Sequence, residues 1–461
     1  MTVGAKIILD DAPEAFVRGL QKYLELPNKD YWQAIKRNPN ARVFLSEYVK
    51  YYELSKDKKS IAVGRGCESL IRRIAGRESL RLDAYDGTTK GECTPPVKSS
   101  IILREYQEGI AEHALESRSG IFRLDTGFGK TIVALKVIEL LQTPTLIVVP
   151  RTDIYDQFRS DIKTYFGFEP QGIDEPPERA RPIVLATLQT LQRRVGGVGT
   201  RTVRNGEDHR ERFGCVIVDE CHLSVPIKSR RVVEAFKARH RYGFTATARR
   251  TDEQGKALEF IYGPIICDRK IERARPSVKT VAFRGYIPVD EYHEIINEQS
   301  RNTERNALIA GVVAEEAKAG RKVLVLTKRV EHYELLAEAL DVDDGVYALR
   351  SDTARKRRTE LLKTLRLGEQ DFTVLLGTFS LLSTGIDIPS LDTLIIAGDL
   401  RSDVLTEQSA GRILRLFEGK PRPQIIDVQD MNNYVLKRQA NERVGFYKLN
   451  GWDVSPYNAN I

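Results

Sequence analysis

From residue 121 onward the chain alternates between two kinds of pattern. Short unbroken apolar runs, "GIFRL", "TLIVVP", "PIVLAT", "CVIVDE" and "RYGFTAT", are separated by stretches such as "TIVALKVIELLQ" and "DIYDQFRSDIKTYF", whose apolar positions recur at helical spacing. Strands that are apolar at every position, not at alternate ones, belong to parallel sheets covered by helices on both faces. The rhythm begins again at "KVLVLT" (322–327) and continues through "GVYALR", "TVLLGT", "TLIIAG" and "PQIIDV". The pattern therefore predicts two α/β halves, joined near residues 268–300.

The first hundred residues lack this rhythm. They mix aromatics with bases, as in "YWQAIKRNPNARVFLSEYVKYY", and close on the turn-rich "GTTKGECTPPVKSS". We expect a small α+β domain over residues 1–96, a first parallel-sheet domain over 97–270, and a linker with a second such domain over 271–461. A chain of 461 residues exceeds what one core supports, in keeping with this division.

Composition narrows the classes. With 41% hydrophobic and 30% charged residues the chain reads as globular, and no run approaches the 18 or so apolar residues of a membrane span. Its opening, "MTVGAKIILDDAPEAF", reaches acids before any long apolar stretch, unlike a signal peptide. Five cysteines, at 67, 93, 215, 221 and 267, form no Cys-x-x-Cys pair and complete no zinc spacing with the six histidines, which points to a reducing cytoplasm. A formal charge of +8 favours a polyanionic partner, and residues 1–90 hold 17 Lys and Arg against 12 Asp and Glu.

Two motifs carry chemistry. "RLDTGFGKTIVAL" (123–135) follows a strand and opens a helix. Thr126, Gly127, Phe128 and Gly129 form a loop whose backbone N–H groups can turn toward phosphate. Lys130 supplies a cation to the terminal phosphates, and the Thr131 hydroxyl can ligate Mg²⁺. The full eight-residue pattern would have glycine at 124, where Leu124 stands. The partner strand "VIVDECHLSV" (216–225) ends in acid about ninety residues later. There Asp219 is suited to Mg²⁺ and Glu220 to orienting and deprotonating the attacking water.

"DTGFGKT" with "DECH" resembles motifs I and II of superfamily 2 helicases and translocases, whose further motifs follow here in order. "LREYQ" (103–107) resembles the adenine-reading element, which implies Gln107 as the base contact with Arg104 in support. "VVPRTDIYDQF" resembles motif Ia, "LATLQTL" Ib, "FTATARR" III, "VLVLTKRVEH" IV, "LLGTFSLLSTGIDIPSLDTLIIAG" V and "EQSAGRILR" VI. The resemblance implies two tandem RecA-like domains, ATP with Mg²⁺, and a cleft that closes on nucleotide. It implies Gly385 and Asp387 at the nucleotide, and His222, Thr245 and Thr247 as the link from hydrolysis to nucleic acid. Gln408, Arg412 and Arg415, on one helical face at i, i+4 and i+7, would meet the transferring phosphoryl group. Pro150, Arg151, Thr187, Gln189, Lys328, Arg329 and Thr378 would grip a sugar-phosphate backbone, with surface packing as the alternative.

"LREYQ", the continuation "RRTDEQGKALEFIYGPII" and the closing "VLKRQANERVGFYKLNGWDV" resemble DExH-type DNA helicases of the phage UvsW and XPB kinds. That implies a monomeric motor acting on forked or Holliday-type DNA, beside recombination or replication proteins, in the cytoplasm of a cell or of a phage's host. In the front segment Arg65, Arg72 and Arg73 concentrate charge for contact with DNA, with a docking module as the equal alternative. An RNA or simple duplex helicase, or a nucleotide-gated binding module without turnover, remain the other readings.

Overall fold

The structure, a computed structural model, describes residues 1–37, 46–92, 94–125, 127–175, 181–195, 209–246, 254–270, 275–287, 289, 291–340, 345–349, 355–379, 388–400, 403–414, 417 and 419–457. The chain divides into two compact units, Met1–Ile271 and Glu272–Ile461.

The first unit begins with seven short strands: β1 (Thr2–Val3), β2 (Ile7–Leu9), β3 (Glu25–Pro27), β4 (Tyr48–Lys50), β5 (Tyr52–Leu54), β6 (Ile61–Val63) and β7 (Tyr85–Asp86). Five make a mixed sheet in the order β5-β6-β2-β1-β7, and β3 pairs with β4. The helices Glu14–Leu24 and Glu68–Arg77 bury Phe16, Leu20, Ile71 and Ile74 against Ile7, Leu9, Ile61 and Val63.

Seven parallel strands follow: β8 (Ser119–Leu124), β9 (Thr145–Val149), β10 (Gln171–Gly172), β11 (Ile183–Thr187), β12 (Cys215–Asp219), β13 (His240–Thr245) and β14 (Ile265–Arg269), ordered β10-β11-β9-β12-β13-β8-β14. Alternate residues of one strand enter opposite cores. Ile147, Val149, Ile183, Leu185 and Ile217 lie in one cluster, and Leu146, Val148, Val184, Val216 and Val218 in another. That division is why these strands read as unbroken apolar runs.

The second unit repeats the arrangement with β15 (Ser277–Phe283), β16 (Val323–Thr327), β17 (Val346–Ala348), β18 (Val374–Thr378), β19 (Thr393–Ile396), β20 (Gln424–Asp430) and β21 (Asp453–Pro456), ordered β17-β18-β16-β19-β20-β15-β21 and all parallel. Leu324, Leu326, Leu375 and Ile425 face one core, and Val323, Val325, Leu376 and Ile426 the other. Because each sheet is parallel, the carboxyl ends of its strands share one edge, where open α/β sheets bind ligands.

Within the first unit the front segment is joined to the large sheet by a wedge at Gly64–Cys67. Arg65 is buried, and its guanidinium donates to Ala238 O and, at 2.8 Å, to Arg239 O. From the opposite side Arg241 of β13 donates to Ala5 O at 3.0 Å. Arg65 was expected in a charged patch with Arg72 and Arg73; only those two are exposed, on the helix Glu68–Arg77. Arg65 instead terminates two backbone carbonyls, so no phosphate can reach it. Gly66 lies so close to the helix Gln254–Tyr262 that a Cβ there would overlap Glu259 O and Gly263 N. Gly66→Ala should therefore loosen the front segment at a cost of about 1–3 kcal/mol. Faster hydrogen exchange at the wedge, with the second unit unchanged, is the expected result, and unchanged exchange would show that the backbone accommodates the methyl.

Candidate active site

The loop between β8 and the helix Lys130–Leu141 turns on two glycines in the left-handed region, Gly127 at φ 79° and Gly129 at φ 88°. Both conformations favour glycine because a Cβ is disfavoured there. At Gly129 a Cβ would also strike the Gln107 amide. Gln107, 3% exposed, donates from Nε2 to Phe128 O at 2.6 Å and accepts at Oε1 from Arg104 N at 3.0 Å. Gln107 thus braces the loop from below, and only one N–H and one lone pair remain for a base. Tyr106 was missed as a separate group. It is 42% exposed, packs edge-on to Phe128 at 5.1 Å and accepts from Arg104 Nη1 at 2.8 Å. Its one sequence signal was its place inside "LREYQ".

The acidic box sits at the end of β12, next to β9 and β13. Glu220 has φ 45°, an uncommon backbone for a side chain of this kind, and turns the chain into the short helix Cys221–Ser224. Cys221 is fully buried, and Gly243 on β13 makes room for it, since a Cβ there would lie 2.7 Å from its Sγ. Four side chains meet around this turn. Lys130 Nζ lies 3.4 Å from Glu220 Oε1, His222 Nδ1 lies 3.3 Å from Glu220 Oε2, and His222 Nδ1 lies 3.1 Å from Thr245 Oγ1. Burial and the neighbouring Glu220 charge push the Asp219 carboxyl well up. Burial acts on Glu220 in the same direction, but the Lys130 ammonium and His222 outweigh it and hold Glu220 low. A recessed carboxyl raised in this way suits a divalent cation, whose charge would restore the anion, and Thr131 lies in the first turn of the helix Lys130–Leu141. Among the described residues no cluster of His, Cys, Asp and Glu forms a metal site of its own.

The strand ends carry other expected residues. Arg151 and Arg329 occupy matching places, each exposed and each the N-cap of the helix after its strand, Thr152–Phe166 and Val330–Ala339. Pro150 is half-buried and Gln189 exposed. The Thr187 hydroxyl accepts from Thr190 N at 3.1 Å, capping the next helix, and Thr378 is buried at the end of β18. Lys328 is exposed, but its ammonium lies 3.1 Å from the buried Asp399 and against the Tyr292 hydroxyl, two partners not foreseen from sequence. Gln408 and Arg412 fall on the helix Asp403–Ile413, with Arg412 half-buried. Thr126, Thr247, Gly385, Asp387, Arg415 and the Gln408 side chain lie outside the described residues.

Residues 100–250 match the family described as "Type III restriction enzyme, res subunit", and residues 304–417 the "Helicase conserved C-terminal domain". Over 336 residues the chain is 28% identical to "Probable helicase D10" of Escherichia phage T5, covering 71% of each. It is 24% identical to "DNA 3'-5' translocase XPB2" of Sulfurisphaera tokodaii, covering 76% of this chain and 86% of that one. It is 22% identical to "ATP-dependent DNA helicase uvsW" of Enterobacteria phage T4, covering 83% and 77%. The solved structure "S. cerevisiae Dbp5 bound to RNA and ADP BeF3" superposes with a TM-score of 0.55 at 13% identity, covering 77% of this chain and 89% of that one, a likeness of fold alone. Two RecA-like halves following a small α+β segment, with a phosphate loop and an acidic box, define an ATP-driven helicase motor. The chain belongs to the superfamily 2 helicases, with relatives of the UvsW and XPB kinds. No helix among the described residues is long and apolar enough to cross a membrane.

Proposed function

We propose that this protein is an ATP-dependent DNA helicase or translocase that remodels forked and Holliday-type DNA in recombination, replication or repair. The observation that carries the motor reading is the contact line Lys130–Glu220–His222–Thr245, which joins phosphate loop, acidic box and the strand of motif III. The choice of DNA is supported by the names of the T4 and Sulfurisphaera relatives.

In this reading Lys130 leaves Glu220 for the terminal phosphates of ATP, which frees the Glu220 carboxylate to accept a proton from water. Mg²⁺ arriving with ATP, held by Thr131 and Asp219, would supply charge to polarise the phosphates. Gln408, Arg412 and Arg415 act on the transferring group, and Tyr106 with Arg104 flanks the base. His222 passes the change at Glu220 to Thr245. Arg151 and Arg329, each at a helix N-terminus, are suited to phosphates of a nucleic-acid backbone.

ATP hydrolysis measured with four-way junctions, linear duplex, single-stranded DNA and RNA tests the proposal. The greatest stimulation is expected from the junction, with unwinding of its arms. Stimulation by RNA alone would overturn the choice of DNA, equal stimulation by junction and duplex would overturn the preference for branches, and absence of turnover with every polymer would favour a nucleotide-gated binding module.

A further inference from the structure

On the second sheet, β15 and β20 are neighbours on the side away from β17 and β18. Their carboxyl ends run into two segments that hold each other. Met431 N donates to Phe283 O at 2.9 Å, and Asn432 Nδ2 donates to Arg284 O. Beneath them Ile287, Ile295, Ile296 and Leu436 close a small apolar cluster, with Tyr292 and Val435 packed against it. The cluster fixes the loop after β15 onto the first turn of the helix Tyr434–Leu449.

Two rings stay out of this floor. Tyr286 is 74% exposed although Ile287, the next residue, is 4% exposed, and Tyr434 is 78% exposed although Leu436 is 3% exposed. The local fold offers an apolar site to each segment and fills it with the aliphatic neighbour. Exposed cations neighbour the rings along the chain: Arg284 lies two residues before Tyr286, and Lys437 and Arg438 follow Tyr434 at i+3 and i+4, on the same helical face. Arg438 has Glu442 3.7 Å away, an exposed pair of little strength that a phosphate can replace. The Tyr292 ring, part of the same apolar cluster, lies 4.8 Å beneath the Lys328 ammonium, so the cluster is continuous with the strand end where motif IV sits.

We propose that Tyr286 and Tyr434 form a stacking platform for unpaired bases of a single-stranded nucleic acid, with Arg284, Lys437 and Arg438 taking its phosphates. Exposed rings recognise base faces, and those faces are covered by neighbouring bases in a duplex, so the occupant is a single strand. The platform rests on the nucleic-acid reading given above and adds to it a place for a displaced strand outside the helicase motifs.

Fluorescence anisotropy with labelled oligothymidylate and with a blunt duplex of the same length tests this. Each of Tyr286→Ala and Tyr434→Ala should weaken oligothymidylate binding about 10-fold, while duplex affinity stays at the wild-type value and Tyr→Phe at either position retains binding. Replacing Arg284, Lys437 and Arg438 together by Ala should lower the slope of log affinity against log salt for the oligomer by about 2. Unchanged oligomer affinity in the Tyr→Ala variants, or an equal loss on duplex, would overturn the platform while leaving the helicase reading standing. A wild-type protein that binds neither polymer would overturn both.

Discussion

Glu220→Gln should lower the turnover number for ATP hydrolysis by about 10²–10⁴-fold while nucleotide still binds. Glutamine keeps the shape of the side chain but cannot take a proton from water, and it removes the charge that Lys130 meets at 3.4 Å. Lys130 would then be more available to phosphate, so the affinity for ATP should be equal to or tighter than that of the wild type. Steady-state hydrolysis with saturating nucleic acid, together with titration of a fluorescent nucleotide, separates the two effects. Equal rates for variant and wild type would remove Glu220 from the chemistry and with it the motor mechanism proposed above.

Asp427→Ala should be among the most damaging single changes to the second unit's stability. Arg443 reaches the Asp427 carboxylate at 2.7 Å through Nη2 and at 3.1 Å through Nε, and the two side chains are 7% and 0% exposed. Tyr447 OH and Gln429 Nε2 donate to the same carboxylate at 3.3 and 3.2 Å. Truncating one member of a buried pair costs about 3–5 kcal/mol, because the other charge stays buried without compensation. For a unit of this size that is a fall of roughly 10 °C in the transition temperature. Replacing both partners at once, Asp427→Leu with Arg443→Met, should cost much less, since no charge is stranded. Calorimetry on the full chain reads both, and a double variant as damaged as the single one would mean that the loss lies in packing or in the Tyr447 and Gln429 donors left without their acceptor, not in a stranded charge.

The ten apolar runs picked out of the sequence correspond to β8, β9, β11, β12, β13, β16, β17, β18, β19 and β20. Most were legible because burial on both faces demands apolar residues at every position, whereas β17, an edge strand with no fully buried residue, was legible by its residue types alone. Of the parallel strands, β10, β14, β15 and β21 escaped notice, each at a sheet edge or next to one. β10 is only two residues long, β14 and β15 are buried at some positions and β21 at none, and residues 277–283 lay within the stretch read as the joint between the halves. At the site, residue types needed for phosphate and water chemistry were readable from "TGFGKT" and "DECH", whereas contacts spanning long sequence distances were not. Arg65, Arg241, Arg305 and Arg443 are all buried, and an arginine read from sequence alone is assigned to the surface. Lys328 shows the same limit at the surface. Its exposure was foreseen, but its partner Asp399 comes from 71 residues further along the chain.

The wedge at Gly64–Cys67 bears on how this chain can be recombined with its relatives. Arg65 terminates carbonyls at the entry to β13, and Gly66 is fitted to one helix backbone, so the front segment and the motor are matched to each other like key and lock. A front segment grafted from another protein would have to bring its own counterparts of residues 238–245 and 254–263. Chimeras cut at residue 96 should inherit a mismatched seam, and viable ones should have their crossover beyond residue 263.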